Sequence, residues 1–207
     1  MKPRTIRLLI IFLSLFFLSA CAATYANIAV EEGSVAPGSA VAREGMSLKL
    51  LGKPIAIGGK LPSVDLVDAM TMQRVDLSKD MKGSILFVSV VPSLDTAVCE
   101  AQTHYLYDYG DKLPPQVKKI TISRDTPFAQ KRFANEARIK GIQFLSDYKE
   151  GAFGRATGLL MDGLMLLARS VIIVDKDGMV RYIQVVPEIT HLPDMERAFQ
   201  EAQQLVK

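Results

Sequence analysis

The chain carries two cysteines, and one of them, Cys99, stands where a thiol can do chemistry. It closes the stretch PSLDTAVC (92–99), in which Pro92, Thr96 and Cys99 follow a Pro-x-x-x-Thr-x-x-Cys spacing. The apolar run SILFVSVV (84–91) before it reads as a buried strand, and AVCEAQTHYLYDYG (97–110) after it reads as a helix. A thiol in the first turn of a helix faces backbone N–H groups and the positive end of the dipole, an environment that favours a thiolate. Thr96 lies three residues earlier, close enough for its hydroxyl to meet the sulfur or a bound ligand, or to cap the helix. The competing reading of Cys99 is an inert buried cysteine, the commonest fate of a lone thiol. His104 falls five residues on, about 140° round the helix, and so points away from the sulfur. His191 sits apart in VPEITHLPD. The two histidines and Cys99 offer no metal-ligand spacing, and no Cys-x-x-Cys pair exists. No glycine-rich phosphate loop is present, and no cofactor is expected.

These residues need a scaffold, and the remaining pattern supplies one. LKLLGKPIAIGG suggests a short hairpin, and PSVDLVDAMTMQRVDL suggests two strands about a turn. VKKITIS (117–123) reads as a strand after the Pro114–Pro115 breaker, and TPFAQKRFANEAR as a helix capped by Thr126 with Pro127 at its first position. A short strand near 142–145 and an interrupted helix over 150–159 follow. SVIIVDKDGMVRYIQVV is a strand–turn–strand about Asp177–Gly178, and a closing helix runs from Pro193 with Phe199 and Leu205 as core positions. Strands alternating with helices make this an α/β sandwich. Lys131 and Arg132 belong to a solvated helix face, with Arg132 able to line an entrance. The leucines and methionines of LLMDGLMLLA are core or interface.

The N-terminus is of another kind. MKPRTIR is a basic segment, LLIIFLSLFFLSA an apolar one too short to span a membrane comfortably, and LSAC (18–21) fits a bacterial lipobox. Residues 1–21 thus read as a lipoprotein signal with lipidation at Cys21. Ala22, rather than an aspartate, follows that cysteine, which suggests the outer membrane, with the protein facing the periplasm. Residues 22–47, rich in Ala, Gly and Ser, read as a flexible tether, and 48–207 as the folded domain. The formal charge of +3 comes from Lys2, Arg4 and Arg7 in the leader, so the remaining chain is balanced and carries no signature of nucleic-acid binding.

PSLDTAVC, with ISRDTPFAQKRF (122–133), LSDYKEGAFG (145–154), LLARSVIIVD (166–175) and VPEIT (186–190) in that order, resembles the bacterial thiol peroxidase subfamily of peroxiredoxins. The similarity runs from about Leu50 to Leu205. It implies a thioredoxin-like fold, with a central mixed sheet flanked by helices and an N-terminal β-hairpin. It also implies a catalytic set of Cys99, Thr96, Arg169 and Pro92, a peroxide substrate, a thiol reductant and a homodimer. In that frame Arg169 is the active-site arginine, Thr96 helps bind peroxide, and Pro92 shields the sulfur from water.

The arginine has a quantitative reason to exist. Lowering a thiol pKa from about 8.5 to about 6 raises the thiolate fraction at neutral pH roughly thirtyfold. The accompanying loss of nucleophilicity is roughly tenfold for a Brønsted slope of about 0.45. Acidity therefore yields only a few-fold, and a fast peroxidase must also stabilise charge on the leaving oxygen. The sequence departs from the subfamily at one place. The slot of the resolving cysteine, after Arg132–Phe133, holds Ala134. A one-Cys cycle closed by an external thiol is the expectation, and a non-turnover peroxide sensor or structural lipoprotein is the alternative.

Overall fold

The computed structural model describes residues 28–206. In chain order these form β1 (Val30–Glu31), β2 (Ala40–Arg43), β3 (Met46–Leu51), β4 (Leu66–Asp68), β5 (Arg74–Val75) and α1 (Leu77–Asp80). Next come β6 (Ile85–Val90), α2 (Ala97–Asp108), β7 (Val117–Ser123), α3 (Pro127–Glu136), β8 (Ile142–Ser146) and α4 (Ala152–Thr157). The chain closes with β9 (Leu160–Met161), β10 (Ser170–Val174), β11 (Val180–Val185), β12 (Leu192–Pro193) and α5 (Met195–Gln204).

Seven strands make the central sheet, in the order β11-β10-β6-β7-β8-β4-β5. β6, β7 and β8 run parallel, while β10 pairs antiparallel with both β6 and β11. β6 has all six residues buried, because its side chains feed two cores in alternation. Leu86, Val88 and Val90 face the core shared with Val41, Leu50, Phe153 and Leu160. Ile85 and Phe87 face the opposite core, with Cys99, Leu106, Ala134 and Phe199. The helices α2, α3 and α5 therefore cover one face, and the N-terminal hairpin with α4 and β9 covers the other. Ser89 breaks the apolar run of β6 on the α2 side, directly under the site described below.

The mixed sheet, the flanking helices and the N-terminal hairpin agree with the sequence reading, and three details differ. The expected tether over 22–47 is corrected for its described part: β1 pairs with β12, β2 pairs with β3, and Val41 is buried. Backbone pairing holds these residues, and their few apolar side chains leave no period in the sequence. The expected hairpin at 48–59 lies upstream, at β2–β3, where Glu44 and Gly45 both take positive φ between the paired Arg43 and Met46. Two positive-φ residues make the turn whose twist matches a two-residue hairpin. The closing helix starts at Met195 with Asp194 as its cap, since Pro193 belongs to β12. Residues 1–21, including the leader and Cys21, lie outside the described residues.

Candidate active site

The site is assembled where β6 and β10 end together, Val90 lying opposite Ser170. Beyond β6 the chain turns at buried Pro92, and the turn is shaped by Asp125 from the segment after β7. Its carboxylate accepts from Ser93 Oγ (2.7 Å), the Leu94 N–H (2.7 Å) and Ser123 Oγ (2.7 Å). This clamp sets the angle at which α2 begins. Thr96 caps α2 through its backbone, its carbonyl accepting from the Glu100 N–H at 2.9 Å. Its exposed hydroxyl donates to the Ser93 carbonyl at 3.0 Å and so braces the turn instead of meeting the sulfur.

Cys99 is the third residue of α2 and is fully buried. Arg169, immediately before β10, reaches it with Nη2 3.3 Å from Sγ. The guanidinium is held on its other edges: Nε donates to the Ile189 carbonyl (2.9 Å), and Nη1 to Gln102 Oε1 (2.8 Å) and the Val98 carbonyl (3.4 Å). Gln102 is fixed in turn by its own amide, which donates to Ser89 Oγ at 2.9 Å. Arg169 is only 2 % exposed, and among the described residues no carboxylate pairs with it. A buried cation surrounded by neutral acceptors is costly unless an anion joins it, and the Cys99 sulfur is the ionisable group placed beside it.

The structure thus brings Pro92, Thr96, Cys99 and Arg169 to one place. Gln102 and Asp125 were missed from the sequence. Gln102 stands one helical turn after Cys99, and Asp125 lies within ISRDTPFAQKRF, but their types carry no signal until the fold supplies partners. His104 contacts Glu100 (3.7 Å) and the ring of Phe133. Arg132, 4.0 Å from Asp95, lines a cleft beside the turn that precedes α2 with Ser93, Leu94, Asp125 and Phe133. Ala134 is buried in the core that also holds Cys99.

A family model, Redoxin, matches residues 56–199. The chain belongs to the redoxin family. A thiol peroxidase of Bacillus subtilis is 37% identical over 164 residues, covering 79% of this chain and 96% of the relative. One from Halalkalibacterium halodurans is 38% identical over 159 residues, covering 77% and 94%. This redoxin is accordingly a member of the thiol peroxidase group of peroxiredoxins. Among solved structures, a peroxiredoxin-like protein from Aquifex aeolicus superposes with a TM-score of 0.74 at 31% identity, covering 84% of this chain and 99% of that one. A thiol peroxidase from Chromobacterium violaceum shares the fold, with a TM-score of 0.67 at 21% identity, covering 80% and 98%. The redoxin match begins after β1, β2 and β3, so the N-terminal elements precede it.

Proposed function

We propose that the protein is a thiol-dependent peroxidase of one-Cys type. It reduces hydrogen peroxide and organic hydroperoxides through a sulfenic acid on Cys99. The observation that carries this reading is the buried Arg169 guanidinium 3.3 Å from the sulfur with no carboxylate to neutralise it. The thiolate attacks the nearer peroxide oxygen, the O–O bond breaks, and the departing alkoxide or hydroxide takes up a proton. Sulfur is oxidised to Cys–SOH and the peroxide is reduced to alcohol or water. Arg169 holds the thiolate beforehand and meets charge developing on the leaving oxygen.

Ala134 supports the one-Cys cycle, because Cys99 is the sole thiol among the described residues. An external thiol then condenses with the sulfenic acid, releasing water and forming a mixed disulfide. A second external thiol releases Cys99. The lipobox supports attachment through Cys21 to the periplasmic side of the outer membrane, and the resemblance supports a homodimer. The test is dimedone trapping of reduced protein exposed to peroxide, read by mass spectrometry. A dimedone adduct on Cys99 is expected; its absence at peroxide concentrations that oxidise no other residue overturns the reading. The second reading, a single-use peroxide sensor, is favoured by the same missing resolving thiol. Turnover decides between them: many peroxides consumed per chain excludes the sensor, and one per chain with every reductant excludes the enzyme.

A further inference from the structure

Arg169 is aimed by the Ile189 carbonyl, and Ile189 sits in a loop (186–193) that the N-terminal segment holds from two sides. On one side β2 grips it directly: the Ala42 N–H donates to the Pro187 carbonyl (2.6 Å), and the Ile189 N–H to the Ala42 carbonyl (2.9 Å). On the other side lie residues 29–35. The Leu192 N–H donates to the Ala29 carbonyl (2.8 Å), and β1 pairs in parallel with β12, which has no other strand partner among the described residues. Gln184, buried on β11, ties this segment down: its amide donates to the Glu31 (2.6 Å) and Gly33 (3.0 Å) carbonyls while its oxygen accepts from the Asp194 N–H (2.9 Å). The Val185 N–H donates to Ser34 Oγ (3.0 Å), and the Val35 N–H to the Val185 carbonyl (3.0 Å). Val185 is the register partner of Ser170, the residue next to Arg169. The N-terminal residues of these contacts, 29–42, precede the redoxin match.

We propose that residues 29–35 are a positioning strap for Arg169, fixing the 186–193 loop at the height where the Ile189 carbonyl engages Nε. Displacement of a preorganised group by about 1 Å costs orders of magnitude in rate, so even partial loosening should be visible. The proposal rests on Arg169 acting in peroxide reduction, and its test includes a readout that does not.

In the full chain, Glu31→Pro breaks the β1 pairing, and Gln184→Met removes the amide clasp on Glu31 and Gly33 while leaving the β1–β12 backbone pairing in place, which keeps the test informative if the first variant folds poorly. The Arg169 Nε–H, buried on a carbonyl, is followed by nitrogen-15 NMR for protection from solvent exchange. Both variants should lose protection at least about tenfold and slow peroxide reduction about tenfold. Iodoacetamide alkylation of Cys99 should stay within about twofold. Val30→Ala, which trims an exposed side chain of the same strand and keeps the backbone pairing, should leave both readouts unchanged. In an Arg169→Met background Glu31→Pro should cost nothing further, because the strap acts through that side chain. Unchanged Nε–H protection in both variants, or a rate loss that persists in full without the arginine, overturns the proposal. An unmodified chain inactive towards peroxide defeats the peroxidase reading, while the protection measurement still decides the strap.

Discussion

Arg169 makes four contacts and none is to a carboxylate, which separates two jobs that a guanidinium can do for a thiol. It can hold the thiolate, and it can receive charge on the leaving oxygen. Arg169→Met removes both, yet thiolate population accounts for only a few-fold of rate by the arithmetic above. Peroxide reduction should therefore fall roughly 100-fold or more, comparable to losing an oxyanion donor. Alkylation of Cys99 by iodoacetamide, which needs thiolate and no such donor, should fall much less. Parallel losses in the two stopped-flow assays would confine the arginine to the first job. At this scale residue type and spacing singled out Cys99 and Arg169, whose side chains the fold sets 3.3 Å apart. Thr96 was placed correctly, but its bond goes to the Ser93 carbonyl. Gln102 acts through Ser89 and Arg169, 13 and 67 residues distant, and Asp125 clamps Ser93 and Leu94, 31–32 residues distant, so no local pattern announces them.

Element α2 poses a steric problem for the second half of the cycle. Peroxide is small, whereas a protein thiol must touch a sulfur that is fully buried under the first turns of the helix. Reduction of the sulfenic acid should thus require those turns to open. Ala101→Gly weakens the helix two residues beyond the sulfur by about 1 kcal/mol, raising an opened population about fivefold. Rapid-mixing assays should find reduction of oxidised protein by a thioredoxin-sized thiol faster by that factor, with no gain in the peroxide step. An unchanged rate would mean that the reductant reaches sulfur through the closed mouth. Long, periodic elements such as α2, α3 and β6 were legible from pattern alone. The elements that the sequence hid, β1 and β2, are two and four residues long: β1 pairs with β12 about 160 residues away, and β2 pairs with β3 and, through Ala42, with Pro187 and Ile189. Composition reads such stretches as loose because pairing leaves no trace in side-chain type.

Over the whole molecule, acid stability should report on Asp76, which caps α1 near the far end of the sheet. Burial alone would raise its carboxyl, but hydrogen bonds from Ser63 and Ser78 and the Lys79 ammonium at 2.9 Å hold it at about 2, against an ordinary 3.8. The unfolded chain therefore binds this proton more readily. The associated stability, at most about 2 kcal/mol, is complete above about pH 4 and drains away as pH falls through about 2. Asp76→Asn should lower the denaturant midpoint at neutral pH and flatten the acid limb in that window; an unaltered acid limb would show the carboxyl to be uninvolved. The sheet covered on both faces was foreseeable from the apolar run of β6, which reads as a buried strand. The strap's meeting with β11 and β12 was not, because it depends on chain ends brought together only by the completed fold. That meeting also gives the molecule an orientation. Ala29 is bonded to Leu192 of the loop that aims Arg169, and seven residues separate it from Cys21, a reach of at most about 29 Å. Under the proposed acylation of Cys21 the Cys99 site is tied to the bilayer, and peroxide formed in the leaflet competes on better terms than peroxide in bulk. Lengthening the leash by about twenty Gly/Ser residues should erase the preference for vesicle-borne hydroperoxide while leaving the rate with soluble peroxide alone.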